Sequence, residues 1–330
     1  MAAATAAQRT AANGSRSRRK ALWVMGHPWQ ERPEATPTDG PDPYGNPDPE
    51  WLEIDWRRHL RTIELDDSTR VNYIEMGEGP CLMLIHGLGG AWQNWLENIP
   101  ALAQRHRVIA IDLPGFGASP MPGWTLGIRN YGSMVLDLLD ALDTGTCAIV
   151  GNSMGGFVAA EVSIRSAPAV SKVALVSAAG VSHARMYRAP TETIARMAAA
   201  MAPVAFRYHE EALRRPRLRA AVVRNLFYKP WALRPELIWE FTSTGIRAPG
   251  LVQAVRGLAG YDILDRLAEV EDPTLIVWGR QDMVVPPADA LAFHEMLPNS
   301  RLEIFDRTGH IPQAERPVRF NRVLEGFLAE

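Results

Sequence analysis

Ser153 stands in the segment Gly151-Asn152-Ser153-Met154-Gly155, directly after the apolar run Cys147–Val150 and before a stretch with helical spacing that opens on Gly155-Gly156. In a strand–turn–helix, a Gly-x-Ser-x-Gly segment supplies two positions without a Cβ beside a tight turn, so the serine can be lifted into an exposed, strained conformation. A serine hydroxyl attacks a carbonyl only when a base removes its proton. Of the eight histidines, His310 has the placement for that base: Thr308-Gly309-His310 follows the apolar run Leu302–Phe305. The imidazole in turn needs a carboxylate to orient it and to stabilise its cationic form. Asp282, in Trp278-Gly279-Arg280-Gln281-Asp282 after the run Thr274–Trp278, fits that role. Asp306 is too near His310 along the chain, and Asp262 and Asp265 lie in a different segment. The order serine, aspartate, histidine is one of the chain orders in which this triad occurs.

Attack on a carbonyl leaves negative charge on oxygen, which preorganised backbone N–H groups stabilise. Met154, immediately after the nucleophile, is expected to supply one donor. The loop Ile85-His86-Gly87-Leu88-Gly89-Gly90 is expected to supply the other, from Leu88, with Gly89 next to it as a substrate-binding position. His86 reads as a residue that holds this loop.

These residues need a scaffold that brings several strand ends to one edge. Arg61–Leu65 and Val71–Met76 alternate around a turn and predict an antiparallel hairpin. Cys81–Ile85, Val108–Ile111, Cys147–Val150, Val173–Val176, Thr274–Trp278 and Leu302–Phe305 are short, nearly continuous apolar runs, with helical spacing at Tyr131–Leu142 and Gly155–Arg165. Strands apolar on both faces, alternating with helices, predict an α/β fold: a mostly parallel central sheet flanked by helices. From residue 182 to 267 no central strand is expected, and helical patterns recur at Thr191–Phe206, Pro216–Phe227, Pro235–Thr244 and Leu251–Leu258. This interval is read as a helical cap inserted between two sheet strands, with 56–181 and 268–330 as the core. Residues 1–55 form a different region: seven prolines lie between Pro28 and Pro49. Such a stretch is expected to be extended and partly disordered, with its tryptophans holding part of it along the domain surface.

Taken together, His86-Gly87-Leu88-Gly89-Gly90, Asp112-Leu113-Pro114-Gly115-Phe116-Gly117-Ala118-Ser119, Gly151-Asn152-Ser153-Met154-Gly155-Gly156, Trp278-Gly279-Arg280-Gln281-Asp282 and Gly309-His310 resemble the α/β-hydrolase superfamily, in its serine-nucleophile type with a helical cap. The resemblance runs from about residue 60 to the C-terminus and implies that the insertion forms a lid. The elbow is similar to that of carbon–carbon bond hydrolases acting on vinylogous diketone acids. Those enzymes carry His-Gly-x-Gly-Pro-Gly and a tryptophan after the histidine, whereas this chain has Gly89-Gly90-Ala91 and Ile311-Pro312. Both departures favour a carboxylesterase-like or lipase-like enzyme. Relatives with an aspartate nucleophile, the haloalkane dehalogenases and epoxide hydrolases, do not match Ser153.

The expected activity is therefore cofactor-independent cleavage of an apolar ester by Ser153, His310 and Asp282. The alternatives are carbon–carbon hydrolysis and an inactive ligand-binding module. Trp231, Trp239 and Tyr261 are candidates for an acyl-pocket wall or for core packing. The Met and Ala stripe around Met186, Met197 and Met201 reads first as packing between cap and core. The arginines of the insertion read first as a solvated face, with transient contact to a lipid surface as the functional reading. No cluster has metal-ligand spacing, and Gly115-Phe116-Gly117 is a turn rather than a nucleotide loop. The chain has 330 residues, 47% hydrophobic and 22% charged, with a formal net charge of −2, which excludes the basic excess of nucleic-acid binders. No apolar run approaches the roughly 18 residues of a membrane span, and Ala21–Met25 is too short for the core of a secretory signal. Cys81 and Cys147, each in an apolar run, are expected as buried thiols in a cytoplasmic protein.

Overall fold

The computed structural model describes residues 32–165, 167–182, 215–243 and 248–330. The Thr191–Phe206 helix and the residues of the Met and Ala stripe lie outside them. Eight strands form one sheet: β1 Leu60–Glu64, β2 Arg70–Met76, β3 Cys81–Ile85, β4 Arg107–Ile111, β5 Cys147–Asn152, β6 Val170–Val176, β7 Thr274–Gly279 and β8 Ser300–Phe305. Their spatial order is β1-β2-β4-β3-β5-β6-β7-β8. The pairs β1–β2 and β2–β4 are antiparallel, and every later pair is parallel. The predicted hairpin and all six apolar runs are strands.

Those runs are continuous because both sheet faces are covered. In β3, Cys81, Met83 and Ile85 join one core cluster, while Leu82 and Leu84 join the other. The first cluster receives α1 (Ile128–Ala141), which buries Ile128, Tyr131, Met134, Val135, Leu138 and Leu139 at three- and four-residue spacing. It also receives α2 (Met154–Arg165), buried at nearly every position because it lies between the sheet and α1. Between the adjacent strands β6 and β7 the described residues hold only helices: α3 Pro216–Val223, α4 Pro235–Ser243 and α5 Leu251–Leu258, with short 3-10 turns. Then α6 (Ala288–Met296) follows β7, and α7 (Pro317–Ala329) closes the chain.

One expectation changes. Cys81 and Cys147 face each other in the β3–β5 register and are joined as a disulfide rather than standing as free thiols. Their spacing along the chain could not reveal this, because the pairing arises from strand register. They therefore give no argument for a reducing compartment. Part of the proline-rich arm lies along the domain surface, held by arginines as well as by Trp51. Residues 33–51 run as a strap over β8 and α7. Thr36 exchanges bonds with Ile304, its N–H reaching the Ile304 carbonyl at 2.9 Å and its hydroxyl accepting from Ile304 N–H at 2.9 Å. Prolines carry no N–H, so such a strap offers mainly carbonyls. Arginine side chains meet them: Arg280 donates to Pro33 at 3.0 Å, Arg319 to Thr36 at 2.9 Å, Arg322 to Pro41 at 3.0 Å and Arg316 to Asp42 at 2.8 Å. Trp51 ends the strap inside the second core cluster. Among the described residues no helix is long and apolar enough to cross a membrane.

Asp112 organises the loop after β4. Its carboxylate accepts from Asn72 Nδ2 at 2.7 Å, Trp92 N–H at 2.8 Å and Ala118 N–H at 2.9 Å, and its carbonyl accepts from the Ser119 hydroxyl at 2.7 Å. The turn at Gly115 and Gly117, both at positive φ, wraps around this carboxylate, in agreement with the turn predicted there. Replacing Asp112 with Ala strands two buried donors, Asn72 Nδ2 and Trp92 N–H, each worth about 1–3 kcal/mol, and frees the more exposed Ala118 N–H. The expected outcome is a loss on the order of 3 kcal/mol or more, measured by denaturant unfolding; a loss under about 1 kcal/mol contradicts this role.

Candidate active site

Ser153 joins β5 to α2 in a single residue. Its φ is 55°, in the left-handed region that a serine adopts only under constraint. Its backbone is fully used. The N–H donates to the Val176 carbonyl at 2.9 Å, extending the β5–β6 ladder, and the carbonyl accepts from Phe157 at 3.2 Å and Ala179 at 2.9 Å. The flanking glycines permit the turn: a Cβ on Gly151 would strike the backbone of Gly155, and a Cβ on Gly155 would strike the carbonyls of Ile85 and His86. The elbow therefore packs against the end of β3, and the N-terminus of α2 points to the space beside Ser153. The first N–H groups of a helix have no partner inside it. Met154 supplies the first of these, at the start of α2.

The loop after β3 crosses directly over the elbow. A Cβ added to Gly87 would lie 3.1 Å from the Ser153 Cβ. His86 sets this loop from below. Its Nε2 accepts from Leu113 N–H at 2.9 Å, and its Nδ1–H donates to the Gly87 carbonyl at 2.7 Å. Those roles require the neutral imidazole, and burial pushes its pKa below the ordinary histidine value, against the opposing charge of Asp112. His86 thus holds the loop, as the sequence suggested. Gly90 closes the turn onto the Gly87 carbonyl at 3.0 Å, and Gly89 has a φ of 73°. Leu88 packs its half-buried side chain on the first core cluster.

His310 and Asp282 meet at the ends of β8 and β7. The His310 Nδ1 lies 2.8 Å from the Asp282 Oδ2, with side chains 3% and 0% exposed. The second oxygen of Asp282 accepts from Val284 N–H at 2.7 Å and Val285 N–H at 2.9 Å, which fixes the carboxylate before it meets the imidazole. Gln281 laces the two loops together: its N–H donates to the Thr308 carbonyl at 2.9 Å and its side-chain oxygen accepts from Thr308 N–H at 2.9 Å. The rival Asp306 is engaged elsewhere. Its Oδ1 accepts from Gln281 Nε2 at 3.1 Å and from Arg280 at 3.4 Å, and these bonds, the Gln281 bond first, hold its carboxyl below the usual range. Arg280 accordingly pairs with Asp306 and not with Asp282.

Two participants escaped the sequence reading. Asn152, fully buried, donates from Nδ2 to the Val176 carbonyl at 3.1 Å and to the His310 carbonyl at 3.4 Å, tying the elbow to the histidine loop. Its place beside the nucleophile was the only available signal. Glu315, also fully buried, binds the backbone of the histidine loop, and nothing local in the sequence marks it. The proposed pocket residues fare differently from one another. Trp231 lies on the surface with 63% exposure, and an indole so placed does not wall an enclosed cavity. Trp239 packs at the edge of the second core cluster. Tyr261 packs beside Phe157, with ring centroids 5.7 Å apart, on the first. Among the described residues no group of three His, Cys, Asp or Glu side chains is arranged to hold a metal ion.

The comparisons with known proteins agree with this architecture. The sequence model described as the alpha/beta hydrolase fold matches residues 80–317. A 2-hydroxy-6-oxononadienedioate/2-hydroxy-6-oxononatrienedioate hydrolase of Burkholderia vietnamiensis is 31% identical over 284 residues, covering 82% of this chain and 95% of that protein. The solved structure of a meta-cleavage product hydrolase from Pseudomonas fluorescens superposes with a TM-score of 0.64 at 26% identity, over 82% of this chain and 97% of that one. An enol-lactonase from Burkholderia xenovorans, with a TM-score of 0.69 at 23% identity over 82% of this chain and 100% of its own, shares the fold. With its sheet order, its sharp strand-to-helix turn at Ser153 and this match over most of its length, the chain belongs to the α/β-hydrolase family.

Proposed function

We propose that the protein is a serine hydrolase that cleaves carboxylic esters of apolar acids through an acyl-enzyme. The observation that carries this reading is the buried His310–Asp282 pair at the sheet edge that also presents the left-handed Ser153. In this mechanism the Ser153 hydroxyl attacks the substrate carbonyl and its proton passes to His310 Nε2. Asp282 keeps the other proton on Nδ1 and stabilises the imidazolium. The oxygen that becomes negative is held by the N–H groups of Met154 and Leu88, while Gly89 leaves room above it. His310 then returns its proton to the leaving alcohol. A water molecule repeats the sequence on the acyl-enzyme. No cofactor enters any of these steps. The helices between β6 and β7 act as the lid that sets acyl preference, with Trp239 at its base. Trp231, being exposed, is not assigned to the pocket.

A second reading is carbon–carbon bond hydrolysis of a dienone acid on the same triad. The names of the relatives favour it, as does the Asn152-Ser153 elbow. The Gly89-Gly90-Ala91 loop and the apolar Ile311 after the histidine favour the ester. A carbon leaving group must be protonated at carbon, and Ile311 supplies no donor for that.

Two outcomes follow. Ser153→Ala lowers kcat by about 10⁴-fold or more while the circular dichroism spectrum and unfolding midpoint stay unchanged; near-normal turnover removes the nucleophile assignment. Wild-type protein assayed with p-nitrophenyl esters of graded chain length beside a 2-hydroxy-6-oxo-dienoate shows chain-length-dependent ester turnover. A kcat/KM that is higher on the dienoate by about a hundredfold or more reverses the choice of leaving group.

A further inference from the structure

The N-terminal strap reaches the catalytic histidine through a buried hydrogen-bond junction 271 residues apart in sequence. Tyr44 donates its hydroxyl proton to Glu315 Oε2 at 2.6 Å, and the same hydroxyl oxygen accepts from Lys229 N–H at 2.7 Å. Glu315 Oε2 also accepts from Tyr228 N–H at 2.7 Å. Its Oε1 accepts from Gly309 N–H at 2.8 Å and Ile311 N–H at 3.3 Å, the residues on either side of His310. The N–H of His310 itself donates to the Leu226 carbonyl at 2.8 Å. Three stretches of chain therefore converge on one carboxylate: the strap, the turn between α3 and α4 in the helical insertion, and the loop that carries the base. They are close-packed, since a Cβ on Gly309 would lie 2.8 Å from the Leu226 carbonyl and 3.0 Å from the Tyr228 nitrogen.

Every acceptor site of Glu315 is occupied, so its position is determined from four directions. Burial lifts the Glu315 carboxyl to about 7, while the bonds from Tyr44, Tyr228, Gly309 and Ile311 pull the other way. Burial first, then the neighbouring Glu315, push the Tyr44 hydroxyl far above its ordinary value, so it remains a donor. The Tyr44 ring is itself clamped by the Arg316 guanidinium, 5.1 Å from its centroid, and Gly45 N–H donates to the Glu315 carbonyl at 2.8 Å. By contrast, among the described residues the side chain of His310 is held by a hydrogen bond at Nδ1 alone, to Asp282. The direction of Nε2 then depends on where the backbone at 309–311 sits, and that is what Glu315 fixes.

We infer that Tyr44 and Glu315 are positioning residues: the strap, through their hydrogen bond, sets the backbone of the His310 loop and so aims the imidazole at Ser153. This rests on the proposed triad. The strap thereby acts on the base through the backbone of its loop.

Tyr44→Phe removes one hydroxyl and keeps the ring on Arg316. Glu315→Gln keeps an acceptor toward Gly309 and Ile311 but places an amide against Tyr44 and Tyr228. Each variant is compared with wild type and with Arg322→Ala, which loosens the strap at the exposed contact with Pro41. The measurements are the rate of Ser153 labelling by a fluorophosphonate, kcat and KM on an ester that wild type turns over, the unfolding midpoint, and the downfield proton resonance of His310 Nδ1–H. In Tyr44→Phe and Glu315→Gln, labelling and kcat fall roughly tenfold, the rate equivalent of one lost hydrogen bond to a charged acceptor. KM stays within about twofold, the downfield proton shifts or broadens, and Arg322→Ala matches wild type. If wild type labels and both folded variants label at the wild-type rate with the proton unmoved, the inference is wrong and the triad stands. If wild type itself does not label, the triad reading fails first. Should Tyr44→Phe lose its cooperative unfolding, Glu315→Gln decides on the same readouts. Rate losses of similar size in Arg322→Ala would mean general loosening and would overturn the specific role.

Discussion

The structure turns on one residue that must leave a strand and enter a helix without a loop. Ser153 does this at a φ of 55°, a conformation costing of order 1–3 kcal/mol. It is held there because its N–H continues the β5–β6 ladder while its carbonyl serves both α2 and Ala179. Releasing the strain would break bonds on both sides. The same turn dictates the glycines beside it and the contact of α2 with the end of β3. It also dictates the near-complete burial of α2, which has no room to tilt away from the sheet. The hydroxyl is exposed to chemistry because the backbone around it has no freedom.

Around that elbow, three loops at the same sheet edge are each fixed by a buried carboxylate acting as a multiple acceptor. Asp112 gathers Asn72, Trp92 and Ala118, Asp282 gathers Val284, Val285 and His310, and Glu315 gathers Tyr44, Tyr228, Gly309 and Ile311. Loops cannot satisfy their own N–H groups as helices and strands do, and a carboxylate offers about four lone-pair positions. Donor bonds to ionised acceptors are stronger than neutral ones, which offsets part of the cost of burying charge. Loops that must not move are thus made rigid without secondary structure.

Which parts could be read from the sequence follows from the range of the interactions. Cys81–Ile85 and its sister runs declare themselves because strand burial is written in adjacent residues. Ser153, His310 and Asp282 declare themselves because each sits just after such a run, so that a local rule places them on a shared edge. The Tyr44–Glu315 bond leaves no local trace. Tyr44 sits in a proline-rich stretch whose composition signals disorder, and the arginines that anchor it, Arg280 after β7 and Arg316, Arg319 and Arg322 at and on α7, look like ordinary surface charge until the strap is laid over them. The Cys81–Cys147 pairing depended on which strands become neighbours, since β3 lies beside β5 only because β4 is placed on its other side. Amphipathic spacing found α4 and α5 correctly, yet it could not tell that Trp231, in the turn before α4, faces solvent while Trp239 on α4 packs against the core, because how a turn and a helix dock is a tertiary choice.

The leaving group is decided away from the triad. Ester and carbon–carbon hydrolysis share nucleophile, base and oxyanion stabilisation, and differ in what must be done for the departing half. In the proposed mechanism an alkoxide takes a proton from His310, which the nucleophilic step has just protonated, so the proposed triad is sufficient. A carbon leaving group needs its negative charge spread into the substrate and a proton delivered at carbon, which calls for donors and cations along the pocket beyond His310. Ile311, buried and apolar, occupies the position next to the base where such a donor would be most direct. A carbon-cleaving enzyme built on this frame would have to supply that group from the helices between β6 and β7. On the proposed reading the chemistry of the leaving group and the surface of the insertion are therefore one question, and the Leu226–Lys229 segment is where the insertion bonds directly to the His310 loop and to Glu315 and Tyr44 beside it.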